Sequence, residues 1–368
     1  MKKKIFFMVF MCFWIILVIL NFIIPSKAFS ENENRMLASI PKFDIEDLFD
    51  GEYIDKLDEY INDHFVFRDA WLKIKSTSEL LLGKTENNGV YIGKDGYLFE
   101  KIEYTDTGKQ NIDKLVNTIN KLQNDTNIPT YFLFIPNSIY INQEKLPKFA
   151  ETPNQEDIIN YAYSNLQNVT AINVIDTLKN NKDKYIYFRT DHHMTSQGAY
   201  LVYLKFCKAV GIEPVTEYNQ ETVSSEFLGT FDSKAQIINQ KKDDIIAYKN
   251  YNNTEGIEEV KYDKETTNSI YNEEYLNTKD KYSYFLNGNN ANVVIKTKIK
   301  NGKKLLVVKD SYAHIMSQFL CQNYEEVHFI DPRYFNNSVE EYIKQNNITE
   351  TLFLYNVSKV KYKSKFHI

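Results

Sequence analysis

Only three of 368 residues are cysteine, and no two form a C-x-x-C pair. That excludes a disulfide framework and cysteine-based zinc modules. Cys12 lies inside a long apolar run. Cys207 and Cys321 fall on apolar helical stripes, where buried free thiols are expected. Basic charge is also short: 44 Lys and Arg against 49 Asp and Glu leave a net charge of −5. Residues 1–28 hold four lysines and no acid, so the remainder carries −9 (−5 − 4). Such a surface argues against a nucleic-acid partner, whose phosphates demand basic patches. No D-x-D pair occurs anywhere, so the chain lacks the extra carboxylates that a manganese phosphoesterase needs beside an Asp-His-His motif. The reading requires neither a metal nor a cofactor. Tyrosine is abundant, 27 in all, and core packing accounts for more of them than sugar stacking does.

One long hydrophobic run is present. Lys2, Lys3 and Lys4 precede residues 5–24, which carry no charge, and Pro25 follows. A helix of 20 residues at about 1.5 Å each spans the hydrocarbon core of roughly 30 Å. The lysines hold the N-terminus in the cytoplasm, so everything beyond Pro25 is expected outside. A cleavable signal peptide is the competing reading, with Ser26-Lys27-Ala28 as its cleavage site. The apolar region is longer than the ~7–15 residues usual there, which favours a retained anchor.

Residues 29–95 read as a charged, helical juxtamembrane linker, with Leu48, Tyr53, Ile54, Leu57, Tyr60 and Ile61 near helical spacing. His64 there reads as structural. Two Gly-bounded runs around Lys94-Asp95 predict a hairpin. From about 110, helices and strands alternate: helix 112–124, strand 130–135, helix 155–166, strand 171–175. A helix starting after Thr195 and ending at Gly211 comes next. Residues 215–300 read as a β-rich, partly mobile insertion. Strand 305–308, helix 313–321, strand 327–330, helix 339–345 and strand 351–355 then follow in quick order. Such alternation predicts an α/β domain, residues 96–368, with a parallel sheet flanked by helices.

Two stretches carry chemistry. In Thr190-Asp191-His192-His193-Met194, a carboxylate stands two positions from an imidazole, and in extended backbone those side chains share a side. Asp191 can therefore orient His193 as a base. In Leu305-Leu306-Val307-Val308-Lys309-Asp310-Ser311-Tyr312-Ala313, a short apolar strand enters a polar turn, and Ser311 opens the helix beyond it. Sites in such sheets form past the carboxyl ends of strands. Together the stretches suggest a Ser-His-Asp esterase or acyltransferase centre: Ser311 the nucleophile, His193 the base, Asp191 its orienter. The plainer readings are a helix cap for Ser311 and a turn hydrogen bond for Asp191. Candidate oxyanion or substrate groups are the Tyr312 backbone N–H, Asn137, Asn356 and His192. His314 is a further, weaker site candidate, and Asp310 reads as structural.

These residues resemble the signature of the DHHW family, which is similar to the catalytic domain of alginate O-acetyltransferase proteins. Thr190-Asp191-His192-His193, Thr195 and Gly198-Ala199 carry the resemblance. Glu33-Asn34-Arg35, Asp63-His64-Phe65-Val66-Phe67-Arg68-Asp69 and Phe227-Leu228-Gly229-Thr230-Phe231 extend it over most of the chain beyond the anchor. Met194 replaces the family's tryptophan, and Lys309 stands where glycine is common. The resemblance implies an SGNH-hydrolase-like fold and a Ser311, His193 and Asp191 triad. The implied protein is a single-pass cell-membrane protein whose extracytoplasmic domain O-acetylates a cell-envelope or exported polysaccharide. It also implies a multi-pass membrane acyltransferase as acetyl supplier. Two alternatives remain open: an acetyl esterase, and a carbohydrate-binding accessory protein with an inactive site.

Overall fold

The computed structural model describes residues 2–250 and 256–358. The chain divides into two compact units, one running to residue 87 and including 233–240, the other comprising 88–232 and the chain from 241 onward.

The first unit begins with a helix, Lys2–Ile23, long and apolar enough to cross a membrane. Helices Ile45–Asp50, Glu52–His64 and Arg68–Leu81 follow. Its two charged motifs interlock. Arg35 forks onto Asp63 with nitrogen–oxygen distances of 2.5 and 2.9 Å, Arg68 pairs with Glu33, and the Ala38 N–H donates to Asp63 at 2.8 Å. His64 bonds the Ala38 carbonyl at 2.8 Å, a structural role.

The second unit is built on an eight-stranded mixed sheet. Its strands in chain order are β1 (Thr130–Ile135), β2 (Thr170–Ala171), β3 (Ile257–Lys261), β4 (Thr266–Thr267), β5 (Asn292–Thr297), β6 (Lys304–Lys309), β7 (Glu326–Ile330) and β8 (Glu350–Asn356). Their spatial order is β4-β3-β5-β7-β6-β8-β1-β2. The run β7-β6-β8-β1-β2 is parallel, and β4, β3 and β5 extend it antiparallel. Between its terminal lysines, central β6 is apolar because both its faces are covered: Leu305, Leu306, Val307 and Val308 are all fully buried. Each such side chain contributes about 1.5–3 kcal/mol by leaving water. Helix Asp106–Thr126 buries Ile112, Leu115, Val116, Ile119 and Leu122, the stripe its period demands.

Four expectations change. Strand 171–175 stops at Ala171, because Asn173 accepts the Ile175 N–H at 2.9 Å and starts helix Ile175–Lys179. Helix 313–321 is broken into a 3₁₀ turn, Ser311–Ala313, and a short helix, Ser317–Leu320. Ser317 Oγ bonds the His314 carbonyl at 2.7 Å and competes with the helical ladder. The 215–300 stretch is indeed rich in strands, but β3, β4 and β5 join the main sheet. Residues 251–255 of that stretch lie outside the described residues. Among the described residues, Tyr218–Phe227 and Asp243–Asn250 pair as a hairpin apart from the sheet. Finally, the predicted hairpin near Lys94-Asp95 forms from Val90–Ile92 and Leu98–Glu100 and lies within the second unit, not in a linker.

Candidate active site

Three neighbouring parallel strands present their carboxyl ends together. Ser311 lies just past β6, Asn356 ends β8, and Asn137 follows β1. This edge is where open α/β sheets bind ligands. Asp310 joins two of these ends: Oδ1 accepts the Tyr312 N–H at 2.9 Å, and Oδ2 accepts the Asn356 N–H at 2.9 Å. That cap fixes the turn on which Ser311 sits.

The Asp-His segment arrives as a closed loop. Tyr187 bridges Met194, the Phe188 N–H donates to the His193 carbonyl at 3.2 Å, and the Thr195 N–H to the Ile186 carbonyl at 3.1 Å. Met194 is fully buried, so the residue in the family's tryptophan position packs the loop inward. Thr195 then caps helix Ser196–Val210 by accepting the Gly198 N–H at 3.3 Å. A side chain at Gly198 would sit 2.2 Å from the Ile186 carbonyl oxygen, so only glycine fits under the loop.

Inside the loop, Asp191 Oδ1 accepts both the His193 N–H at 3.0 Å and the His193 Nδ1–H at 2.6 Å. His193 Nε2 lies 2.8 Å from Ser311 Oγ, across 118 positions of sequence. With Nδ1 protonated against the carboxylate, Nε2 is the acceptor for the serine proton. Asp191 Oδ2 accepts from the Thr230 N–H at 2.9 Å and Thr230 Oγ at 3.1 Å. Gly229 permits that approach, since a Cβ there would stand 2.3 Å from the Cβ of Asp191. One layer further out, Asp243 accepts from the Thr190 N–H and hydroxyl and from the Arg189 N–H at 2.8, 2.6 and 2.9 Å, holding the loop from below.

Burial pushes the Asp191 carboxyl up, but His192, His193 and the Thr230 N–H outweigh it and hold it well below the usual carboxylate range. Burial disfavours the His193 imidazolium and His192 adds to this, while Asp191 opposes both. The ring is pushed down to about 4. His193 is therefore neutral, and competent as a base, well into acid. We expect its limb in a pH–rate profile of serine acylation to fall as pH drops through about 4 rather than 6.5. A midpoint at or above 6.5 in stopped-flow acylation would overturn this assignment.

The other predicted groups are placed differently. His192 is partly exposed, with Nδ1 3.0 Å from Thr230 Oγ, and it lines a narrow cleft with Asn137, Phe99 and Phe231. Its carbonyl accepts from the Tyr312 hydroxyl. The Tyr312 N–H is already held by Asp310. Asn137 Nδ2 donates to Asn356 Oδ1 at 2.8 Å and to Ser358 Oγ at 2.9 Å, and Asn356 Nδ2 donates to the Ile135 carbonyl at 3.1 Å. The Tyr312 N–H and Asn137 Nδ2 must each exchange a bond before serving an oxyanion. Asp191, His192 and His193 also offer ligand atoms within 4.8 Å of one another, but His193 Nδ1 is directed at Asp191 and His192 Nδ1 at Thr230.

His314 belongs to a buried charge cluster beneath the serine turn. Lys309 Nζ donates to His314 Nε2 at 2.9 Å and lies 3.6 Å from Asp331, whose carboxylate also holds Arg333. Burial pushes Lys309 down to about 8, with Asp331 opposing. Thr230, which holds Asp191, and Asp243, which holds the loop, carried no signal as site residues in the sequence. Thr230 lay inside a recognised motif, Phe227-Leu228-Gly229-Thr230-Phe231, but its partner Asp191 is 39 positions away.

Residues 89–330 match the DHHW protein family. A DHHW family protein from Eubacterium siraeum is similar in structure: TM-score 0.65, 24% identity, 75% of this chain and 93% of that one covered. PatB1 of Bacillus cereus, solved with a sulfonyl adduct, gives TM-score 0.63 and 23% identity over 74% of this chain and 95% of its own. Likeness to the O-acetyltransferase domain of Pseudomonas putida AlgJ is lower, at TM-score 0.48 and 14% identity over 76% of this chain and 94% of that one. No curated protein matches the sequence. The match spans well over half of the chain, which belongs to the DHHW protein family.

Proposed function

We propose that the chain is a membrane-anchored, extracytoplasmic O-acyltransferase that acetylates a cell-envelope or exported polysaccharide through an acyl-serine. The observation that carries this is the run of contacts from Asp191 to His193 to Ser311, at 2.6 and 2.8 Å, at the carboxyl edge of the sheet. Ser311 Oγ attacks the carbonyl carbon of an acyl donor while His193 Nε2 takes its proton. The donor's leaving oxygen departs with that proton. A sugar hydroxyl then attacks the acyl-serine, His193 takes the hydroxyl proton, and Ser311 leaves protonated. Asn137 or the Tyr312 N–H would steady the oxyanion after exchanging a present partner. Water in place of the sugar makes the same centre an esterase.

The choice of acetyl and polysaccharide follows the family resemblance in the Asp-His and Asp-Ser-Tyr elements. Helix Lys2–Ile23 supports an anchor, and an anchor beside a multi-pass acyltransferase would raise the effective concentration of the acetyl supply.

Intact-protein mass spectrometry of the full chain in detergent, after exposure to 4-nitrophenyl acetate, tests the proposal. One acetyl group is expected on Ser311, and none in Ser311→Ala or His193→Ala. A folded wild type that takes up no acetyl and hydrolyses no ester would favour the carbohydrate-binding alternative.

A further inference from the structure

We propose that Tyr282 is a positioning residue for acyl transfer, one side chain that holds the base and the nucleophile's turn together. The inference rests on the acyl-serine reading above. Tyr282 comes from the 3₁₀ turn Lys281–Tyr284, inside the stretch that sequence alone marks as an insertion, and is 3% exposed. Its ring lies flat on the His193 imidazole, with centroids 3.6 Å apart and planes 8° apart. Its hydroxyl donates to the Ser311 carbonyl at 3.0 Å. The His314 ring lies 6.0 Å from the same tyrosine ring, with planes 19° apart. The turn carrying it is itself fixed, with Ser283 Oγ donating to Asp280 at 2.6 Å and Lys279 paired to Asp232 at 2.9 Å.

Two consequences follow from one placement. The hydroxyl is a second donor to the Ser311 carbonyl, which also accepts the His314 N–H at 3.1 Å, so the backbone carrying the nucleophile is set relative to the tyrosine ring. The ring sets the imidazole plane, so the Nε2–Oγ line is defined from both ends. The π face also acts selectively over the reaction. It is nearly indifferent to neutral imidazole but attracts the imidazolium formed as Ser311 attacks. An interaction stronger in the transition state than in the ground state raises kcat and leaves KM alone.

The test is single- and multiple-turnover acyl transfer by full-length Tyr282→Leu and Tyr282→Phe, each compared with wild type in thermal melting. Tyr282→Leu removes ring and hydroxyl, and a loss of about 10-fold or more in kcat is expected with KM within about twofold. Tyr282→Phe keeps the stack and should recover most of that loss. A folded Leu variant that acylates at the wild-type rate overturns the inference while leaving acyl transfer standing. So does a Phe variant as slow as Leu, since the stack then contributes nothing. A wild type that forms no acetyl-serine removes the acyl-transfer reading itself, and this inference with it.

Discussion

Replacing Ser311 by alanine is expected to lower the rate of acyl transfer by about 10⁴–10⁶-fold, and His193→Ala should do nearly the same. The two side chains act on one proton. Without His193 Nε2 at 2.8 Å, the serine hydroxyl keeps its proton and is a weak nucleophile. Without Oγ, the base has nothing to activate except water. The losses should therefore not add: Ser311→Ala/His193→Ala is expected within about tenfold of either single variant. Asp191→Asn keeps the shape of the loop but exchanges a carboxylate for a group that cannot enforce the Nδ1 proton, and a loss of about 10⁴-fold is expected. Single-turnover release of nitrophenolate, with circular dichroism to establish folding, reads all four variants. Additive losses would mean that the two groups serve separate steps, and the arrangement proposed above would be wrong.

Much of this site could be read before any coordinates. Strands 130–135 and 304–309 hold continuous apolar runs at 131–135 and 305–308, which a strand covered on both faces tolerates. Asp191 and His193 stand out because side chains two apart in extended backbone share a side, and Ser311 because it lies just past the carboxyl end of an apolar strand. What stayed hidden was tertiary. Tyr282 carries no local signal, since one tyrosine among 27 in a loose polar stretch looks like any other. Its meaning lies in contacts 29 positions away on Ser311 and still farther away on His193. The broken helix after Ser311 misled for a similar reason. Ala313, Met316 and Leu320 fit a helical period, yet the Ser311 carbonyl accepts the His314 N–H at 3.1 Å and the Tyr282 hydroxyl, and Ser317 Oγ bonds the His314 carbonyl. The Asp310 cap explains why the Tyr312 N–H, which looks free at a helix start, already has a partner.

The second large effect concerns stability, and it follows from Lys309, an odd residue for the end of a central strand. Its neighbours in β6 are apolar, and the ammonium is fully buried. A charge there persists only with partners. Asp331, at the end of adjoining β7, supplies one at 3.6 Å and is itself held by Arg333 Nη2 at 2.5 Å and Nε at 2.9 Å. Asp331→Ala would take from a buried ammonium and a half-buried guanidinium the carboxylate they share, leaving them the charge of Asp310, and a loss of about 3–5 kcal/mol is expected. For a domain of this size that corresponds to a melting temperature lower by about 10 °C. Lys309→Met should behave oppositely. It removes the desolvated charge, fills similar space, and leaves Asp331 its arginine, so stability should be unchanged or up to about 4 kcal/mol higher. The double variant, with neither buried charge, should recover part of what Asp331→Ala loses. Differential scanning of the four proteins in one detergent measures this. If Asp331→Ala melts with wild type, Lys309 does not depend on that carboxylate. The floor beneath the serine turn would then be held by the hydrogen bond to His314 alone.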